Sequence, residues 1–247
     1  MQTWNEVADA LEAGTLRAAQ KNAAGVWTAN LEVKQAILKA FQEGQVVASE
    51  EVYWDKDNLL PQKFTASRHV RIVPRGTAVR RGSYLAPGVI VMPPSFINLG
   101  AYVDEGTMVD SHVLVGSCAQ IGKKVHLSAG VQIGGVLEPI GQTPVIIEDH
   151  CFIGAGAVIV EGVLVQEHAV IAPGVILSQG LPIYDLVHQK ILPAGTVPSG
   201  AVVVTGTRPK QNDSWAQAQQ ISLQCPVIVK FRDAKTSAAL ALESALR

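Results

Sequence analysis

A mainly β fold, wound as a left-handed parallel β-helix of six-residue units, is what this sequence predicts, and two observations carry the prediction. First, stepping by six from Val73 meets Val79, Leu85, Val91, Ile97, Val103, Val109, Val115, Ile121, Leu127 and Ile133 without a polar residue. The series resumes at Ile147 and runs through Ile153, Ile159, Val165, Ile171, Leu177 and Ile183, then returns as Ile191, Val197 and Val203. A helix would show spacings of three and four, and a plain strand a spacing of two. Six fits a short strand and a corner, with one side chain per unit pointing inward. Second, charged residues are 17% and aromatics 5% of the 247 residues, while glycine (22) and proline (13) are plentiful. That balance describes a turn-rich β body and excludes a coiled coil or a disordered chain.

The corners follow from the same register. Three residues past many inward positions stands a glycine, as at Gly76, Gly82, Gly88, Gly100, Gly106 and Gly130, where a positive φ carries no steric penalty. The next residue is small, as at Thr77, Ser83, Ala101, Thr107, Ala119, Cys151, Ala157 and Ala169. Three units make one triangular coil, so residues 18 apart stack. Both breaks in the ladder read as two-residue additions, one within residues 138–146 and one within 183–191. Solenoids put such additions in surface loops, often at the binding face. The stretch from Val73 to Ile183, less one addition, makes six coils, a rod ~29 Å long at ~4.8 Å per stacked strand. In this register Asp110, Ser128 and Glu148 form one column. His150 lies beside His168, with His112 on the same corner two coils earlier.

The flanks divide the chain into residues 1–72 (helical domain and connector), 73–206 (the rod) and 207–247 (strand and helix). Residues 3–22 and 31–43 carry helical spacing, the second with Leu31, Ile37, Leu38 and Phe41 on one stripe and Asn30 as its cap. Residues 44–72 form a mixed connector. Residues 223–234 read as an edge strand begun by Pro226, and 236–247 as a terminal helix capped by Thr236 or Ser237.

Net charge is −1, which provides no global field for nucleic acid or a membrane surface, so neither is expected as a partner. No window of ~18 apolar residues marks a membrane span. The N-terminal MQTWNEVADALEAG has acids where a secretory signal needs a basic and then an apolar run, so the expected location is the cytoplasm. Cys118, Cys151 and Cys225 form neither a disulfide framework nor a zinc-ligand pair and are expected as small buried thiols.

The run NLGAYVDEGTMVDSHVLVGSCAQIGKKVHLS (98–128), with IGGVLEPI (133–140) and IIEDHCFIGA (146–155), closely resembles the tetrahydrodipicolinate N-succinyltransferases. The resemblance extends to EAGTLRAAQKNAAGVW (12–27), VRIVPRGTAVRRGSYLAPGVIVMP (70–93) and SLQCPVIVKFRDAKT (222–236). It implies transfer of succinyl from succinyl-CoA to the amine of 2-amino-6-oxopimelate, the opened form of tetrahydrodipicolinate, in diaminopimelate and lysine biosynthesis. It also implies a homotrimer with the site between subunits. The family's acidic catalytic residue falls on Asp110 in GTMVD, and its acceptor-binding arginine on Arg71 in VRIVP.

The chemistry suits both assignments. An amine attacking a thioester must shed protons, and a carboxylate orients it and accepts one; Arg71 offers a planar fork to a dicarboxylate acceptor. Ser128 and Glu148, in Asp110's column, are candidate groove residues. Arg208, Lys210, Lys230 and Arg232 are candidate cations for the CoA phosphates. The histidines read as solvated corner residues. Zinc chemistry of the kind found in rod-shaped carbonic anhydrases needs a closely spaced histidine pair and a third, a pattern not seen here.

One segment departs from the family. After FIGA the family carries Arg, Ser and Glu, where this chain has Gly156, Ala157 and Val158. In the family that glutamate assists near the reacting amine. Glu148 or Glu161 takes its place, or Asp110 works without it, or the acyl group or acceptor differs. A related acyltransferase acting on another amino dicarboxylate, and a catalytically inactive trimeric scaffold, are therefore the alternatives.

Overall fold

A computed structural model describes residues 3–48 and 54–232; the terminal helix expected at 236–247 lies outside them. Two-residue strands pair in parallel and stack into three faces. Face 1 runs from Arg71–Ile72 through Ile90–Val91, Met108–Val109, His126–Leu127 and Phe152–Ile153 to Val170–Ile171 and Ala201–Pro209. Face 2 stacks Ala78–Val79, Phe96–Ile97, Leu114–Val115, Gln132–Ile133, Val158–Ile159 and Ile176–Leu177. Face 3 stacks Tyr84–Leu85, Tyr102–Val103, Gln120–Ile121, Ile146–Ile147, Leu164–Val165 and Thr196–Val197. The chain visits the faces in that order, so three corners recur in every coil.

Inside the coil lie the ladder residues, from Val79 through Val109 and Ile133 to Val203, in one continuous core. Burying each such side chain contributes ~1.5–3 kcal/mol, which is why the sixfold series is so strict. Polar residues at the inward corners are satisfied by corner carbonyls: Thr107 Oγ1 donates to Gly122 O at 2.8 Å and Ser83 Oγ to Arg80 O at 2.6 Å. All three thiols are buried, and burial pushes Cys118 and Cys151 up to about 12.

Two ladder members depart from the expectation. Val73, at the open end of the rod, is only half buried, and Ile191 is 61% exposed. Ile191 lies in Lys190–Leu192, which forms an antiparallel hairpin with Ile183–Asp185. Ile183 is buried, but its strand joins face 1 beside Ser222–Phe231 rather than continuing face 3.

Both breaks are also longer than two residues. Ile133 on face 2 and Ile147 on face 3 are successive ladder positions, 14 residues apart where six suffice, so eight residues are inserted. Leu177 and Val197 are likewise successive and 20 apart, an insertion of 14. The first insertion leaves the corner between faces 2 and 3 and packs on the N-terminal segment. Leu137 joins its core, and Lys34 Nζ donates to Gln142 O at 2.5 Å.

That segment is less helical than its apolar spacing predicts. Helix α1 covers Trp4–Glu12 only, opened by a capping box between Thr3 and Glu6. Gly14 then takes φ +72°, a left-handed conformation that ends the helix. Ala19–Lys21 instead pairs antiparallel with Trp27–Ala29, across a turn in which Asn22 Oδ1 accepts from the N–H groups of Ala24 and Val26. Helix α2, Leu31–Glu43, has the expected bounds, and the Asn30 side chain caps it by accepting from Val33 N. A second core joins α1 and α2 to the rod through Val7, Leu11, Val33, Ile37, Leu99 and Cys118.

Ser222–Phe231 is not an edge. It lies between Ala201–Pro209, paired antiparallel, and Ile183–Asp185, paired in parallel. Pro226 is tolerated there because pairing with Ile183–Asp185 involves Val227 and Ile228, beyond the proline, which lacks an N–H to donate.

Candidate active site

The N-terminal segment covers face 3. Outward from that face, Tyr102 lies under the Arg17 guanidinium at 3.7 Å, Gln120 is buried and accepts from Arg17 Nε at 2.9 Å, and Ile146 is buried. Faces 1 and 2 differ. Their outward residues, in register, are Ile90, Met108, His126, Phe152 and Val170 on face 1, and Phe96, Leu114, Gln132, Val158 and Ile176 on face 2. Most are apolar and half-buried, with Phe96 38% exposed.

Asp110 stands on the corner between these two apolar strips. It follows Met108–Val109, its backbone N–H donates to Leu127 O, and its Oδ1 accepts from Ser111 N at 2.7 Å. Asp110 is half-buried. The Asp110 carbonyl accepts from Ser95 Oγ at 2.8 Å, which anchors the corner to the coil interior. Ser128 is its neighbour one coil on, as expected, with its N–H bonded to Ile153 O. Arg71 is exposed on the first strand of face 1. Two pairings separate it from Met108, ~10 Å along the axis at ~4.8 Å per strand.

Glu148 does not belong to that column. Because the insertion is eight residues long, it follows Ile146–Ile147 on face 3 and stacks with Asp104 and Gly122 on the corner between faces 3 and 1. There its carboxylate is committed to the N-terminal segment. Lys21 Nζ lies at 2.7 Å, Trp27 Nε1 donates at 2.9 Å, and Glu167 N donates at 3.2 Å. Burial pushes Glu148 up, but the bonds from Lys21 and Trp27, the Lys21 charge and the Glu167 N–H outweigh it and hold the carboxyl below its ordinary range.

Gly122 permits the tight stacking of this corner. A Cβ there would meet Asp149 N at 2.7 Å and Glu148 C at 2.8 Å. Glu161 is on the third corner, between faces 2 and 3, where its Oε2 accepts from Gln179 N. Neither glutamate is therefore near Asp110 within the chain. Val158 does point outward on face 2, but two pairings beyond Leu114.

The histidine register is corrected in the same way. His150 and His168 do stack, at 4.9 Å with rings 3° from parallel, on the corner shared with Glu148. His112 sits instead on Asp110's corner, donating from its backbone to Pro94 O.

The four C-terminal cations do not form one cluster. Lys230 is opposite Val202, near the rod, whereas Arg208 is opposite Leu223, six residues further along the ribbon, ~20 Å at ~3.3 Å per residue. Lys210 lies just past Arg208's strand and bonds through its backbone to Ile221. Arg232 Nη1 donates to the carbonyls of His150 and His168, both at 3.3 Å. Sequence reasoning missed the cleft beside Glu148, whose lining includes Arg17, Lys21, Trp27 and Asp104. Its only sequence signal was the resemblance of residues 12–27, which names no partner on the rod.

A stacked hexapeptide rod with one face closed by its own N-terminal segment defines the class of this protein. The family model for the tetrahydrodipicolinate N-succinyltransferase N-terminal region matches residues 1–42, and the model for the hexapeptide repeat of succinyl-transferase matches residues 144–179. The 2,3,4,5-tetrahydropyridine-2,6-dicarboxylate N-succinyltransferase of Albidiferax ferrireducens is 48% identical over 259 residues, covering 98% of this chain and 90% of its own length. The enzyme of that name from Yersinia enterocolitica is 46% identical, covering 98% of this chain and 88% of its own, and that from Paracidovorax citrulli 45%, covering 96% and 86%. The chain belongs to the tetrahydrodipicolinate N-succinyltransferase family.

Proposed function

We propose that this protein transfers succinyl from succinyl-CoA to the amine of tetrahydrodipicolinate in its opened form, at a site built on the Asp110 corner. The observation that carries this reading is 46–48% identity, over 98% of this chain, to enzymes of that name, and the open setting of Asp110 supports it. Among the described residues nothing covers the two mostly apolar strips that flank the corner, and contiguous apolar surface of this kind marks an interface. In the proposed homotrimer a second copy lies against faces 1 and 2 and closes the site over Asp110 and Ser128.

The reaction needs little from the protein beyond placement. The acceptor amine attacks the thioester carbonyl, a tetrahedral oxyanion forms, and the CoA thiolate leaves as the nitrogen gives up a proton. Asp110 orients the amine and accepts that proton. As a carboxylate it is a weak base against an ammonium, so positioning is its larger contribution. Backbone N–H groups at the Gly-rich corners supply donors to the oxyanion. Arg71 takes an acceptor carboxylate in a bidentate fork, and Lys230, Arg208 and Lys210 along the ribbon take the CoA phosphates. Arg232 instead fastens the ribbon's end to the corner carbonyls of His150 and His168.

Incubation with succinyl-CoA and tetrahydrodipicolinate is expected to release free thiol at a rate that needs both substrates. No release with succinyl-CoA or acetyl-CoA would overturn the assignment. A second reading keeps the transfer and changes the acceptor, favoured by apolar Val158 on face 2 where the family has a glutamate. A panel of amino dicarboxylates separates the two, and turnover confined to another acceptor selects the second.

A further inference from the structure

The seam between the N-terminal segment and the rod holds a second, separate cleft of about 250 Å³, lined by Arg17, Lys21, Trp27, Asp104, Glu148, Asp149 and Glu167. At ~30 Å³ per water in the liquid it has room for roughly eight waters, the scale of one amino acid. It lies on the corner between faces 3 and 1, and Asp110 on the corner between faces 1 and 2.

Arg17 is held there before any ligand arrives. Its guanidinium stacks on Tyr102, and its Nε donates to Gln120 Oε1. Gln120 is itself locked, its Nε2 donating to the carbonyls of Cys118 at 2.9 Å and of Gly100 and Ala119 at 3.3 Å. Among the described residues the two terminal amino groups of Arg17 make no protein hydrogen bond, so its planar fork is free for a carboxylate.

The rest of the lining is acidic. Glu148 is consumed by Lys21 and Trp27. Asp104 and Asp149 each accept one backbone N–H and act on Arg17 through their charge, but neither they nor Glu167 comes within ion-pair distance of a cation among the described residues. Two cations against four carboxylates leave the lining two charges negative. A simple anion would meet Arg17 but be repelled by that excess, and a simple amine would leave the fork unused. A ligand with one carboxylate and two ammonium groups matches both.

We propose that this cleft binds a diamino carboxylic acid, its carboxylate on Arg17 and its ammonium groups on Asp104, Asp149 and Glu167. Its aliphatic chain rests on Trp27. The site joins the N-terminal segment to the rod, so occupancy also stabilises that seam by mass action.

The test is calorimetric titration of the full chain with L-lysine as probe, beside L-norleucine (no second amine), cadaverine (no carboxylate) and glutarate (no amine). L-lysine is expected to bind once per chain and raise the melting temperature, with the three controls weaker. Arg17→Gln is expected to weaken L-lysine about tenfold or more, the worth of a charge-assisted hydrogen bond. Because Arg17 also packs on Tyr102, Asp104→Asn serves as a second variant that leaves the stack intact, and it too is expected to weaken L-lysine. No binding of L-lysine, equal binding of all four probes, or unchanged binding in a folded Arg17→Gln or Asp104→Asn chain would overturn the proposal. None of these outcomes depends on acyl transfer, so failure here leaves the proposed activity standing, and the reverse.

Discussion

The corner that carries Asp110 and the corner that carries Glu148 are built from the same six-residue unit, yet they have different surroundings. Each offers a carboxylate one residue past an inward aliphatic, on a backbone pinned by the next coil. Glu148 is covered by its own chain, its oxygens taken by Lys21, Trp27 and the Glu167 N–H. Among the described residues the Asp110 carboxylate has only a local bond from Ser111 N, and nothing covers the two mostly apolar strips beside it. In a repeat fold the unit fixes where a side chain points, and what packs over the corner decides whether its carboxylate is committed to the chain, as at Glu148, or left open for the proposed chemistry, as at Asp110.

The sharpest way to break this contrast is to spoil the surroundings of Asp110 without touching it. Met108→Glu combined with Leu114→Glu places charge on both flanking strips. The expected outcome is loss of the proposed trimer by sedimentation velocity, together with loss of nearly all thiol release, while the sheet signal in circular dichroism persists. A monomer with full activity would show that the site is complete within one chain.

A smaller effect is expected at the closed corner. Glu148 is held below its ordinary value in the folded protein, so the stability it contributes is fully present above the unfolded carboxylate range, near 4.5, and is lost as pH falls through the folded value. Glu148→Gln is expected to cost about 1–3 kcal/mol in denaturant unfolding at neutral pH. The loss relative to wild type should shrink as the pH falls below the ordinary carboxylate range. A constant difference across that window would show that the charge contributes nothing.

The inward ladder, helix α2 with its Asn30 cap, the buried thiols and the pairing of Asp110 with Ser128 were all legible in the sequence, because local periodicity determines each of them. The column that joined Asp110 to Glu148 was not. A period of six cannot distinguish an insertion of two residues from one of eight, and the eight-residue loop shifts Glu148 and His150 onto a different corner from Asp110 and His112. The hairpin at 183–192 was hidden by the same arithmetic, since Ile183 and Ile191 are aliphatic in and out of the ladder. Ala19–Lys21 read as helix because its strand pairing depends on Trp27–Ala29, across a turn set by Asn22. The Arg17 cleft was invisible for a related reason. Its walls come from sequence positions more than a hundred residues apart, brought together only by the docking of the N-terminal segment on face 3.

The most direct measurement compares Asp110→Asn with Glu148→Gln in parallel, by thiol release per folded molecule and by melting temperature. Asp110→Asn is expected to lower turnover by about 10²–10⁴ with the melting temperature unchanged, while Glu148→Gln lowers the melting temperature and leaves turnover near wild type. The opposite pattern, with turnover lost at Glu148 and retained at Asp110, would contradict the account.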